Sequence, residues 1–118
     1  VSGPTWSRTL ADTTAAWLAQ LSSRAPASQQ ELAGVYHLGG NGAVSRYQWA
    51  QQILRLDPDR DQHRVTSLKP ADSSEFDAPA RRPAFSALDC SLFQRTFNLF
   101  HADWLTCLAV ALTTRYAE

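Results

Sequence analysis

Two adjacent guanidinium groups, Arg81 and Arg82, stand between Pro79 and Pro83 and are the side chains best suited to chemistry. An arginine presents a planar fork of donors that grips a phosphate or carboxylate through paired hydrogen bonds. Two of them in a stretch stiffened by prolines suit an anionic ligand. The bland alternative is that they are solvated or pair with Asp72, Glu75 or Asp77, and surface pairs of that kind are common and weak. Gly39, Gly40 and Gly42 offer a second candidate, since they lie between a strand-like and a helix-like segment where a phosphate can meet a helix N-terminus. Their plain role is a turn that needs positive φ. Pro4, Thr5 and Trp6 could line a cleft, although a lone Trp is more often a packing aromatic.

Other chemistries lack their residues. There is no dinucleotide fingerprint, no nucleophile elbow and no zinc-protease pair. His37, His63 and His101 show no ligand spacing, and His37, within a strand-like run, reads as a core side chain. Cys90 and Cys107 are 17 residues apart, which fits no metal spacing. They read as two reduced, partly buried thiols. Lys69 is the only lysine beside ten arginines, so any lysine mechanism has one candidate.

With 118 residues, 44% of them hydrophobic, the chain is one small domain or part of a larger one. Eleven basic residues balance eleven acidic ones. That balance argues against a nucleic-acid partner, which selects a basic excess or stripe. No apolar run reaches membrane length and no signal-peptide pattern is present. The expectation is a cytoplasmic protein with no membrane contact. The absence of any Met leads to the expectation of a processed product or a piece of a longer chain.

The elements that position these residues follow from periodicity. Gly3-Pro4-Thr5 is extended or turning. A helix is expected from about Arg8 to Ser23, with Leu10, Thr14, Trp17, Leu18 and Leu21 on one stripe. Arg24 to Gln30 reads as a surface loop. Gly34 to Gly40 reads as a buried strand ended by glycines. Ser45 and Gln48 have capping-box spacing, and a helix follows from Arg46 to about Leu56, stopped by Asp57-Pro58. Arg64 to Leu68 reads as one more short strand. Ala71 to Leu88 is irregular, which in a compact domain points to a functional or partner-facing segment. Asp89 caps a helix from Cys90 to Phe97, and His101 or Asp103 opens a last one. The expected fold class is α/β, with about four helices and two or three short strands.

Four stretches together resemble one family, the dTDP-4-dehydrorhamnose reductases of the extended short-chain dehydrogenase/reductase superfamily. Gly3-Pro4-Thr5-Trp6-Ser7-Arg8 with Leu10-Ala11 is similar to its "G-x-P-T-x-x-R-D-L-A" stretch. Gly34 to Gly40, then Ser45 and Ala50, is similar to its "G-x-Y-H-x-x-G" segment and following helix. Pro79 to Asp89 looks like its "P-A-R-R-P-x-x-S-x-L" signature. Phe97 to Leu105 resembles its terminal "F-G-I…L-P-x-W" piece. Thr9 stands where the family has Asp, Asn98 where it has Gly, and Ala102 where it has Pro. Asn tolerates left-handed geometry, so the second change is mild.

The resemblance implies that residues 1–118 are the C-terminal, substrate-binding lobe of a Rossmann-type reductase, with the N-terminal NAD(P)-binding domain outside this chain. It implies a dTDP-sugar substrate, NAD(P)H as cofactor of the whole enzyme, and no cofactor bound by this chain alone. Arg81 and Arg82 would meet the substrate's phosphates or hold their loop. Pro83 and Ser86 would shape that loop, and Thr5 and Trp6 would sit near the cleft. The family's catalytic Tyr-x-x-x-Lys pair is missing: Tyr36 and Tyr47 are followed four residues on by Gly40 and Gln51, and Lys69 is preceded by Val65. The chain alone is therefore expected to be non-catalytic. A rival reading is a non-catalytic relative acting as a regulatory, protein-binding subunit, since Leu88-Asp89-Cys90-Ser91 resembles the β subunit of methionine adenosyltransferase too. An isolated piece of this kind is expected to leave apolar surface open and to self-associate.

Overall fold

The computed structural model describes residues 1–76, 80 and 83–114. Its helices are α1 (Ser7–Ser22), α2 (Pro26–Gln30), α3 (Arg46–Leu56), α4 (Ser91–Phe97) and α5 (Trp104–Thr114). Single 3-10 turns occupy Arg60–Gln62 and Ser73–Glu75. The expected α/β architecture is corrected: among the described residues the chain is helical, with no strand and no sheet. Among the described residues pairing is confined to two isolated bridges, Ser2 with Val44 and Asn41 with Asp103.

The reason lies in how strands are stabilised. β-branched and aromatic residues favour a pleated, half-buried surface, but the ladder needs a neighbour to supply its hydrogen bonds. Gly34 to Gly40 is free of helix yet finds no partner strand, and Val35 is 81% exposed. Arg64 to Leu68 is likewise unpaired, with Val65 exposed. His37, expected in the core, is exposed.

The helices follow the sequence more closely. Ser45 Oγ accepts from Gln48 N–H at 3.1 Å and Gln48 Oε1 accepts from Ser45 N–H at 3.2 Å, closing the expected capping box of α3. At the other end Asp57 N–H still reaches the Ile53 carbonyl at 2.9 Å. The buried Asp57 carboxylate then takes the Asp59 N–H at 3.1 Å and meets His63 Nε2 at 3.0 Å, fixing the turn after Pro58. Asn98 ends α4 in left-handed geometry at φ 52°, the tolerance expected of Asn there.

α2 is an addition to the expected loop. Pro26 occupies its first turn, where the missing N–H costs nothing. Gln29 Nε2 donates to the carbonyls of Leu21 and Arg24 at 2.9 and 3.0 Å, occupying acceptors left at the end of α1.

Packing is thin. Trp17 of α1 meets Phe93 and Phe97 of α4 edge-on, with centroids 6.1 and 5.7 Å apart, and Tyr36 lies 5.0 Å from Phe97. Such pairs each contribute about 0.5–1.5 kcal/mol beyond area burial. Gln20 Nε2 adds a hydrogen bond to the Phe97 carbonyl at 3.0 Å. Among the described residues the buried apolar side chains are only Val44, Phe93, Phe97, Cys107 and Leu112. Leu10 and Leu18, expected on the inner stripe of α1, are exposed. The radius of gyration is 18.0 Å, against about 13–14 Å for a compact domain of this length. The accessible surface is 8993 Å², against roughly 6,400 Å² for a compact monomer of this mass. No helix among the described residues is long and apolar enough to cross a membrane.

Candidate functional site

The second and third of the stretches that carry the resemblance meet the extended segment 1–6, and the fourth is tied to the second. On one side segment 1–6 bridges to Val44, with Ser2 N–H to Val44 O at 3.0 Å and Val44 N–H to Ser2 O at 2.9 Å. On the other, Ser86 N–H donates to the Val1 carbonyl at 2.9 Å. An added methyl on Gly3 would meet the carbonyls of Gly40 and Gly42 at 3.1 Å and Ala87 at 3.9 Å, so backbone closes in from both sides. The fourth stretch enters through Trp104 N–H, which donates to the Asn41 carbonyl at 3.0 Å.

At the centre lies the peptide joining Gly39 and Gly40. Its N–H donates to Thr5 Oγ1 at 2.7 Å, and its carbonyl meets His101 Nδ1 at 2.8 Å. Gly40 is required here by contact: a methyl on it would stand 1.9 Å from the Pro4 carbonyl oxygen. Gly42 is required by conformation, at φ 88°.

The expected site residues fall into two groups. Thr5, Trp6, Pro83 and Ser86 all lie on the joined segments. The Thr5 hydroxyl is already committed, accepting from Gly40 and donating to the Gly3 carbonyl at 3.3 Å. Ser86 Oγ likewise donates to the Val1 carbonyl at 3.4 Å. Both hydroxyls thus hold backbone. Trp6 is half-buried at the start of α1, and Pro83 is exposed. Arg81 and Arg82 lie outside the described residues.

Trp6 makes no side-chain cap on α1, and the helix has no acidic residue in its first turn while Arg8 is there. The positive end of α1 is therefore compatible with an anion beside Thr5 and Trp6. A shallow recess of about 490 Å³ adjoins the segment, lined by Ser2, Pro4, Arg46, Trp49 and Ala50. One guanidinium beside an indole suits an anionic or aromatic group. A second recess, about 550 Å³, is lined by Trp17, Leu21, Leu32, Tyr36 and Phe97 among others, and contains none of the expected site residues.

Two carboxylates shape the approaches. Asp89 accepts from Ser91 N–H at 2.9 Å, and the hydrogen bonds from Ser91, helped by the charges of Arg95 and His37, lower its pKa. Asp103 takes the Thr106 hydroxyl at 2.6 Å and the N–H groups of Thr106 and Leu105, bonds that lower its pKa as well. Asp103 caps α5, whereas the cap expected of Asp89 is corrected, because the N-cap of α4 is Cys90 and no side chain caps that helix. Among the described residues no group of three or more His, Cys, Asp or Glu is placed to hold a metal. Cys90 and Cys107 are free thiols, half-buried and buried, as expected.

Sequence reasoning missed His101. It is buried, and its contact with Gly39 spans 62 residues, a pairing that spacing along the chain does not reveal. It also missed the open start of α1, for which the signal was the absence of Ser, Thr, Asp or Asn at position 6.

The family model described as "RmlD substrate binding domain" matches residues 1–116. A dTDP-4-dehydrorhamnose reductase of Burkholderia thailandensis is 35% identical over 104 residues, covering 86% of this chain and 35% of that protein. The Salmonella typhimurium enzyme of the same name is 31% identical over 108 residues, 86% of this chain and 32% of its own. The Escherichia coli one is 29% identical over 108 residues, with the same two coverages of 86% and 32%. The chain thus spans about a third of the length of these curated relatives. No solved structure matches it. A match over nearly every residue settles the kinship, and the chain belongs to the RmlD substrate-binding domain family.

Proposed function

We propose that this chain is the sugar-nucleotide-binding lobe of an NAD(P)H-dependent dTDP-4-dehydrorhamnose reductase, in which the cofactor and the catalytic Tyr/Lys pair are supplied by residues outside 1–118. The observation that carries this reading is the meeting of two distant stretches, 39–44 and 83–89, on the segment 1–6, beside the uncapped, acid-free start of α1. In this reading Arg81 and Arg82 pair with the substrate's diphosphate, Trp6 and Pro83 border the sugar or base, and Thr5 and Ser86 hold the backbone that carries them. The reaction adds a hydride from the reduced nicotinamide to the C4 carbonyl carbon of the sugar and a proton to its oxygen. This lobe's share is binding and orientation.

Surface area supports a partner body. The excess of roughly 2,600 Å² over a compact monomer is of the size buried at permanent interfaces. Val35, Phe76, Phe85 and Phe100 are more than half exposed, as a face awaiting cover would be. The cofactor-binding domain is the proposed cover, and self-association is the expected behaviour of the lobe without it. The test is reductase turnover. The intact protein should oxidise NADPH or NADH in the presence of dTDP-4-dehydrorhamnose, and residues 1–118 alone should not. An intact protein with no turnover but a stable protein partner would favour the regulatory reading instead.

A further inference from the structure

Residues 35–38 lie in no helix or turn, and among the described residues their backbone makes no hydrogen bond. Their side chains alternate. Tyr36 and Leu38 are half-buried, while Val35 and His37 are exposed. Burial with a period of two is the mark of extended backbone, whose N–H and C=O groups look for a neighbouring strand. One face of the run is already held. The Tyr36 ring lies 5.0 Å from Phe97 and 6.4 Å from Phe93, and its hydroxyl donates to the Leu32 carbonyl at 2.9 Å. The far end is held too, where Gly40 N–H donates to Thr5 Oγ1 at 2.7 Å. A run fixed at one face and one end, with its backbone edges open, is prepared to receive an added strand.

We propose that residues 35–38 form a docking edge whose occupant is a β-strand of the cofactor-binding domain, a part of the same polypeptide outside residues 1–118. The proposal rests on the substrate-lobe reading above and says how the two bodies join. The lobe itself stays helical, and the pairing runs between bodies.

Three arguments favour this occupant over a second copy of the lobe. The first is size: the chain spans about a third of the length of its curated relatives, and the rest of such a protein is large enough to hold a sheet. The second is what each occupant offers. Two copies meeting here would make an isolated two-stranded pair, which is marginal in water, because neither brings a sheet of its own among the described residues. A dinucleotide-binding domain is built on a parallel sheet covered on both faces, and there Val35, 81% exposed in the lobe, would be buried. The third is place. A strand laid along 35–38 ends at Gly39 and Gly40, which Thr5 ties to segment 1–6. Docking at this edge therefore brings the cofactor-binding body against the segment assigned to the sugar nucleotide.

The test is residue-resolved amide hydrogen exchange on the intact protein by NMR, with reduction of dTDP-4-dehydrorhamnose assayed on the same sample. Successive residues of a strand point their N–H groups to opposite edges. Docking along one edge should slow exchange roughly 100-fold or more at alternate residues, 35 and 37 or 36 and 38, and leave the other pair fast. The slowed amides should show cross-strand NOEs to residues outside 1–118, at every protein concentration. Fast exchange at all four residues overturns the proposal. Equal slowing of all four does so too, being the pattern of simple cover without a ladder. Slowing that disappears on dilution gives the edge to a second copy and overturns the stated occupant. Turnover with four fast amides removes the docking edge and leaves the substrate-lobe reading standing. Alternate slowing with NOEs outside 1–118, in a protein that neither binds nor reduces the dTDP-sugar, keeps the paired edge and removes that reading.

Discussion

Replacing Gly40 by alanine is the severest single-methyl change the site offers, and its size can be worked from contacts. The new carbon would lie 1.9 Å from the Pro4 carbonyl oxygen and 2.8 Å from the Pro4 carbonyl carbon. These are backbone atoms and cannot rotate away. Restoring van der Waals separation requires a shift of roughly 1.5 Å. Overpacking of this kind costs typically 1–3 kcal/mol, and the shift also breaks the Thr5–Gly40 hydrogen bond, worth about 1 kcal/mol. The sum is about 3 kcal/mol. If the 118 residues unfold as one unit, their unfolding entropy makes that a fall of about 12 °C in Tm.

Gly39→Ala is the internal control. Its methyl would meet Leu88 Cδ1 and Thr5 Oγ1 at 3.6 Å and Cys90 Sγ at 4.0 Å, all ordinary contacts with side chains. It should cost under about 1 kcal/mol. Thermal melts of wild type and the two variants, followed by circular dichroism, decide the matter. A Gly40→Ala protein that melts with Gly39→Ala would refute the close approach of segments 1–6 and 39–44.

Three further outcomes are expected. Ser45→Ala removes the oxygen that accepts from Gln48 N–H and should cost about 1 kcal/mol, visible as a lower urea midpoint with an unchanged m-value. The pKa values of Asp72, Asp89 and Asp103 are lowered chiefly by local hydrogen bonds from Ser74, Ser91 and Thr106, so these bonds contribute stability that is present above about pH 4 and lost as pH falls through the lowered native values. Far-UV ellipticity should decline on acidification below that point, and Asp103→Asn, which still caps but cannot titrate, should show a smaller decline. A thiol reagent should label half-buried Cys90 faster than buried Cys107, and equal rates under native conditions would contradict their placement.

Local chemistry was legible in the sequence where it closes over a few residues. The Ser45/Gln48 box, the Asp57-Pro58 stop, the cap at Asp103 and the left-handed Asn98 each involve partners within about four positions. α2 was hidden because Pro26 suggests a break, whereas at a first helical turn it is favoured. The strand-like run from Gly34 to Gly40 has the right residues, but a strand is a property of two segments, and none pairs with it among the described residues. The site was legible as a set of motifs and not as a geometry. Thr5 reads as lying near a cleft and Ser86 as shaping its loop, and each hydroxyl bonds backbone. The Gly39 clamp by His101 joins positions 62 apart, beyond any periodicity.

We propose above that residues 1–118 supply the sugar-nucleotide site of a reductase. Calorimetric titration of the intact protein with dTDP-rhamnose, beside its Arg81→Ala, Arg82→Ala variant, tests it most directly. One saturable site is expected in the wild type, weakened at least tenfold in the variant through loss of the charged phosphate contacts. Binding of equal strength in both proteins, or none in either, would contradict it.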